Sequence, residues 1–310
     1  MTVININNAN LFSDIANKAS ALGCRVSVNE ALSSHTSFKT GGICPIMIEP
    51  TAVSQLSPLL LLIKDSGLPY IILGNGTNVL APDEGLDKIV IKIGDAMAQI
   101  TLGDDGVITC SAGTKLVTLC KFALENSLSG LEFAYGIPGT CGGAVYMNAG
   151  AYGGEIKDVL THVTHITPEL ETVTIPASEA DLSYRHSAYK TNGCIISEIK
   201  IQLKKADKAD IKNAMDDFLN RRKTKQPLEY PSAGSTFKRP EGYFAGALIE
   251  QCSLKGKSIG GAQVSEKHAG FVINKGGATS DDILELIDFI QKTVETQTGV
   301  LLEPEVIVLR

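Results

Sequence analysis

Two glycine-rich segments carry the clearest chemical signal in this chain. The first, Gly74-Asn75-Gly76-Thr77-Asn78, directly follows the apolar run Tyr70–Leu73. Glycines at such a turn let backbone N–H groups approach phosphate oxygens, and Thr77 and Asn78 add side-chain donors. Val79 stands where a G-x-G-x-x-G fingerprint needs its third glycine, so the loop is not of that kind. The second, Gly136-Ile137-Pro138-Gly139-Thr140-Cys141-Gly142-Gly143-Ala144, follows Tyr135 and runs on towards Asn148-Ala149-Gly150-Ala151-Tyr152-Gly153. Its glycines set several amides along one backbone path, enough to line a pyrophosphate. Short Gly/Asn turns also occur with no ligand, so either segment alone is ambiguous. Together they point to a bound phosphate-bearing cofactor. Gly256-Lys257-Ser258 is not a P-loop, because Gln251 replaces the required first glycine.

Metal and thiol chemistry find less support. His162 and His165 lie three apart, which on a strand turns them to opposite faces. The seven cysteines are scattered and none forms a C-x-x-C pair, so no metal site and no disulfide framework is expected.

The elements that must position these loops alternate irregularly. Strands are expected at Arg25–Val28, Met47–Glu49, Tyr70–Leu73 and Lys88–Ile91, and through much of residues 158–202. Helices are expected over Thr51–Ser66 and Thr114–Ser127, the latter stopped by Gly130. Asp210 is expected to cap a helix ended by Pro227, and Ser280 a helix bearing Ile283, Leu284, Ile287, Ile290 and Val294. The charged stretch Lys204–Asp210 is the expected domain boundary. A net charge of −6 with pI near 5.5 argues against nucleic acid as a partner. No signal peptide and no stretch able to span a bilayer is apparent, so a cytoplasmic protein with no membrane insertion is expected.

The glycine segments, with Gly41-Gly42, resemble the FAD-binding domain of vanillyl-alcohol oxidase-like (PCMH-type) flavoenzymes. Three later segments narrow the resemblance: Tyr184-Arg185-His186-Ser187, Ser232-Ala233-Gly234-Ser235-Thr236-Phe237-Lys238, and Leu302-Glu303-Pro304-Glu305-Val306. With these, the chain from about Ser33 onward is similar to the UDP-N-acetylenolpyruvoylglucosamine reductase (UDP-N-acetylmuramate dehydrogenase) family. The short loop after Tyr184-Arg185 resembles the variant without an extra tyrosine-bearing substrate lid. Arg239 stands where many members have Asn, and Ile307 where many have Arg.

The resemblance implies an α+β fold: a FAD-binding region over residues 1–204, in two subdomains of about 1–98 and 99–204, then a substrate domain over 205–310. It implies FAD held by the two loops, with Tyr135 beside the second. It also implies reduction of the flavin by NADPH, UDP-N-acetylenolpyruvoylglucosamine as substrate, and peptidoglycan precursor synthesis as the context. A monomer is expected. The reaction reduces an enolpyruvyl ether to a lactyl ether: hydride reaches the terminal carbon, and charge develops as an enolate of the carboxylate. Arg185 would face that carboxylate, Ser235 would donate the proton, and Glu305 would stabilise the enolate in its protonated form. Tyr184 and Lys238 would contact substrate, and Arg221, Arg222 and Lys225 offer charge for the diphosphate. The same three cations also suit the C-terminal end of a helix on dipole grounds alone. His268 is expected to be structural.

Overall fold

The computed structural model describes residues 6–310. It opens with helix α1 (Ile6–Ala21), which the sequence reading did not anticipate. Phe12, Ile15, Ala16 and Ala19 recur at helical spacing and are buried. Strands β1 (Arg25–Ala31) and β2 (Ile43–Glu49) precede helix α2 (Leu56–Ser66), and β3 (Tyr70–Leu73), β4 (Val79–Leu80) and β5 (Ile89–Lys92) follow it. The sheet order is β1-β2-β5-β3, with only β1 antiparallel to its neighbour. The consecutive apolar residues of β2 and β5 are buried on both faces, as parallel strands inside a protein require. Pro45 hid the first half of β2 from sequence reasoning. The ladder tolerates it because it skips from Val28↔Ile46 to Glu30↔Cys44, with Asn29 at φ +53°. Helix α2 starts later than expected: Gln55 Oε1 accepts from the Thr51 and Ala52 N–H groups, and a 3₁₀ turn precedes Leu56.

The next stretch contains β6 (Ile100–Leu102), β7 (Val107–Ser111), α3 (Leu116–Glu125), β8 (Leu128–Ser129), α4 (Cys141–Tyr146), β9 (Gly150–Ala151) and β10 (Gly154–Glu155). It continues through β11 (Leu160–Ile166), β12 (Thr172–Pro176), β13 (Ile195–Gln202) and β14 (Lys204–Lys205). A five-stranded antiparallel sheet runs β12-β11-β13-β7-β6. One apolar core joins it to the first sheet, through residues such as Ile46, Ile91, Leu119, Val163 and Ile199. The short helix α4 was not expected, because its glycines mask it. Gly142 is required there: a Cβ would lie 2.8 Å from that of Ala112.

Helix α5 (Lys208–Lys225) is capped by Asp207, not Asp210; the Asp207 carboxylate accepts from the Ala209 and Asp210 N–H groups. Its buried residues Ile211 and Met215 join the same core as the two preceding sheets. Then come α6 (Ala245–Gln251), β15 (Ser258–Ile259), β16 (Ala262–Val264), β17 (Val272–Asn274), α7 (Ser280–Thr298) and β18 (Ile307–Val308). The cap of α7 is Thr279 in a capping box with Asp282, not Ser280, which is the first helical residue. A second core packs α6 and α7 on β16 and β17, and it takes in Phe38 and Leu80 from the first region. Strand β18 returns to pair in parallel with β4, Ile307 opposite Val79 and Val308 opposite Leu80. Among the described residues, no helix is long and apolar enough to cross a membrane.

Candidate active site

The two glycine segments face each other. The loop after β3 hands its Asn75 side-chain amide to the Pro138 carbonyl, and a Cβ on Gly74 would meet Thr140 Oγ1 at 2.9 Å. Gly76 is obligatory: its φ is +62° and a Cβ would stand 1.9 Å from the His35 carbonyl oxygen. The N–H groups of Asn75, Gly76, Thr77, Gly139 and Thr140 meet no acceptor among the described residues. Unpaired amides on two facing loops fit the phosphates of a dinucleotide. Thr140 is otherwise employed, capping α4 by accepting from the Gly143 N–H. Ala144 and Gly142 are buried beneath the segment, Gly142 against Ala112. Tyr135 and Ile137 pack against the first core at the edge of the segment.

Asn78 turns away from the cradle. Its Nδ2 donates to the Glu305 carbonyl at 3.1 Å, and its own carbonyl accepts from the Ile307 N–H at 3.0 Å. The last strand thus lays Glu305 against the exit of the first glycine loop. On its other side, Glu305 N–H donates to the Thr236 carbonyl at 2.8 Å, and Lys238 N–H to the Glu303 carbonyl at 2.8 Å. This short pairing, centred on Phe237 and Pro304, carries Ser235 to the same place. Gly234, at φ +79° with open space around it, makes the turn that leaves Ser235 exposed.

Arg185 arrives from a third direction. Ser183 and His186 exchange backbone hydrogen bonds of 3.2 and 3.1 Å, so Tyr184 and Arg185 form the tip of a tight turn. Arg185 sits there at φ +54°, an uncommon left-handed conformation for an arginine. Its Nη2 donates to the Gly150 carbonyl at 3.2 Å, and its Nε lies 2.9 Å from Glu305 Oε1. That approach is a close contact and not a directed hydrogen bond, because the Nε–H is buried and aimed at no acceptor. Burial pushes the Glu305 carboxyl above its ordinary pKa, and the positive charges of Arg185, Lys190 and Lys238 only partly oppose this.

Arg185, Ser235 and Glu305 line one cavity of about 400 Å³ together with Tyr184. Arg239, Phe244, Lys255, Lys267 and His268 also line it. The Tyr184 hydroxyl accepts from the Arg239 N–H at 3.1 Å, and the Arg239 guanidinium lies 4.0 Å from the Phe244 ring centre. His268 therefore lies at the cavity, with its Nδ1 accepting from the Gly270 N–H at 3.1 Å and its pKa lowered by burial.

Other expected substrate contacts lie outside this lining. Arg222 packs on the second glycine segment, 2.3 Å from where a Gly136 Cβ would be. Lys225 is exposed in the last turn of α5. Lys238 pairs with the Glu303 carboxylate. Sequence reasoning missed Lys255 and Lys267 as cavity residues; their one local signal was a pair of cations flanking a Gly-rich hairpin segment. Which loop cations face a site depends on contacts between distant segments, here between α6 and the 265–270 turn.

The comparisons with known proteins agree with this architecture. A family model described as "FAD binding domain" matches residues 45–175, and "UDP-N-acetylenolpyruvoylglucosamine reductase, C-terminal domain" matches residues 226–309. A UDP-N-acetylenolpyruvoylglucosamine reductase of Clostridium perfringens is 47% identical over 281 residues, covering 91% of this chain and 92% of that protein. One of Agathobacter rectalis is 49% identical over 289 residues, covering 90% and 92%. The crystal structure of the enzyme so named from Thermus caldophilus superposes with a TM-score of 0.77 at 33% identity, covering 93% of this chain and all of that one. The two family models match both halves of the chain, and the second spans Ser235 and Glu305. The chain is thus an α+β, FAD-binding member of the UDP-N-acetylenolpyruvoylglucosamine reductase family.

Proposed function

We propose that the protein reduces UDP-N-acetylenolpyruvoylglucosamine to UDP-N-acetylmuramate, with NADPH as the reductant, and that Arg185, Ser235 and Glu305 do the chemistry. The observation that carries this reading is the convergence, in one cavity, of a fixed cation, an exposed hydroxyl and a carboxyl of raised pKa.

The facing loops around Gly74–Asn78 and Gly136–Thr140 would hold the FAD phosphates through their unpaired N–H groups. When bound, FAD supplies the hydride relay between the nicotinamide and the terminal carbon of the enolpyruvyl group. Arg185 binds the substrate carboxylate with the Nε–H that has no acceptor in the protein, and holds the charge that develops there. Glu305 keeps its proton in the buried site and donates a hydrogen bond to the same oxygens; an ionised carboxylate would repel them. Ser235 Oγ–H gives its proton to the ether-bearing carbon, which completes the lactyl ether. Arg239, Lys255 and Lys267, which line the same cavity, would supply charge for the diphosphate. Arg222 and Lys225 take no direct part in this reading; they belong to the basic end of α5.

The test is anaerobic. NADPH should bleach the yellow of the FAD-loaded protein, and the enolpyruvyl UDP-sugar should restore it in the absence of oxygen. Bleaching with no recovery would overturn the substrate, and recovery after NADH but not NADPH would overturn the reductant.

A further inference from the structure

Asn148 is buried without exposure and holds φ +40°, yet it does not line the cavity. Both of its side-chain donors and its side-chain acceptor are engaged. Its Nδ2 donates to the Ser183 carbonyl at 2.9 Å and to Glu155 Oε2 at 3.1 Å, and its Oδ1 accepts from the Lys157 N–H at 3.0 Å. Ser183 is the residue from which the Tyr184–Arg185 turn springs, and the same carbonyl closes that turn by accepting from His186 N–H. Two residues beyond Asn148, the Gly150 carbonyl accepts from Arg185 Nη2 at 3.2 Å. The turn is tied at its other foot by Ser187, whose Oγ donates to the Tyr146 carbonyl at 2.7 Å. Three tethers of the turn thus run to residues 146–150, the backbone that leaves the second glycine segment.

We propose that Asn148 is a positioning residue for the carboxylate subsite: it pins the Tyr184–Arg185 turn to the end of the second glycine segment and so fixes the reach of the Arg185 guanidinium. The inference rests on the reading of Arg185 as the carboxylate-binding cation. The residue type follows from the geometry. Asparagine tolerates the left-handed backbone conformation, and only a carboxamide donates two hydrogen bonds while accepting a third in so small a volume. An arginine held at an uncommon φ has no local preference for its position, so the tethers must supply it.

The variant Asn148→Asp keeps the shape and the bond from Lys157 but removes both donors. The test titrates FAD-loaded protein with UDP-N-acetylmuramate, which carries the carboxylate, and with UDP-N-acetylglucosamine, which does not. Asn148→Asp should weaken the first by about tenfold to a hundredfold, the scale of a catalytic group displaced by an ångström. Binding of the second and the flavin absorbance spectrum should be unchanged. In an Arg185→Ala background the same substitution should add no further loss, because its effect passes through Arg185. Equal weakening of both sugars, or a loss that adds to that of Arg185→Ala, would overturn the inference. If Asn148→Asp does not fold, Ser187→Ala releases the same turn at its other foot and should give the same selective loss; an unselective one refutes the proposal. Failure of the underlying reading looks different: Arg185→Ala would then bind both sugars as the parent does.

Discussion

At the scale of single residues, the site is governed by which charges are desolvated. The Glu305 side chain is only 12% exposed and that of Arg185 19%, so neither enjoys full hydration. Burial dominates for Glu305, and its pKa is raised from the ordinary value of 4.5. A carboxyl whose folded pKa lies above its unfolded one favours the fold while protonated, and that contribution fades as pH rises through the folded pKa. Glu305→Gln should therefore raise the melting temperature at neutral pH, and the gain should vanish below about pH 4, where both states of the parent are protonated. Thermal melts of parent and variant across pH test this; a variant less stable at neutral pH would mean that the ion pair with Arg185 outweighs desolvation. Ser235→Ala should leave bleaching by NADPH intact and slow reoxidation by the enolpyruvyl sugar by at least about a hundredfold, the lower range of a lost general acid. Rapid-mixing measurement of the two half-reactions separates the steps, and an unchanged second step removes Ser235 from the role.

At the scale of elements, two glycines with similar backbone angles should behave differently. Gly76 and Gly67 have φ of +62° and +68°, but only Gly76 faces an obstacle, the His35 carbonyl; nothing lies within 4 Å of a Cβ on Gly67. Gly67→Ala at the end of α2 should cost only about 1–2 kcal/mol, the strain of a left-handed alanine, and the protein should keep its flavin. Gly76→Ala must move the loop that faces Pro138, and the purified protein should be depleted of FAD. The ratio of flavin to protein absorbance reads both. The element boundaries were partly legible in sequence and failed for local reasons. Tyr70–Leu73 is a strand as expected, because four apolar residues sit between turn signals. The first half of β2 was lost to Pro45, and α4 to its glycines, since propensity cannot register a proline in a skipped pair or a glycine demanded by a neighbour's methyl.

At the scale of the whole molecule, the C-terminal region is sewn to the first. The Asp83 carboxylate accepts from both N–H and Oγ of Ser280 at the start of α7, and Asp83 N–H donates back to Ser280 Oγ at 3.1 Å. Asn274 Nδ2 donates to the Phe38 carbonyl at 2.9 Å, and Phe38 itself lies in the second core. Asp83→Ala removes a charged acceptor at a helix N-terminus and should destabilise the fold by about 1–3 kcal/mol, measured by chemical denaturation. A change within error would place the seam's stability in β4–β18 and the Phe38 contact instead.

The amino-acid sequence by itself determined the chemical vocabulary: glycines where backbone must approach phosphate, the segments bearing Arg185, Ser235 and Glu305, and several of the longer strands. The glycines and strands follow from local physics, since φ restrictions and apolar periodicity are properties of neighbouring residues, whereas the three segments stand out only through their resemblance to the family. Tertiary structure alone decided which cations face the cavity. Arg222 and Lys225 stand near Ser235 in sequence but lie outside the lining, whereas Lys255 and Lys267 line it. It also decided that Asn78, one of the expected phosphate donors, binds the Glu305 carbonyl across the parallel pairing of β4 with β18, at a separation of 227 residues. Such a pairing is selected by the burial of two apolar cores against each other, and no local pattern encodes it.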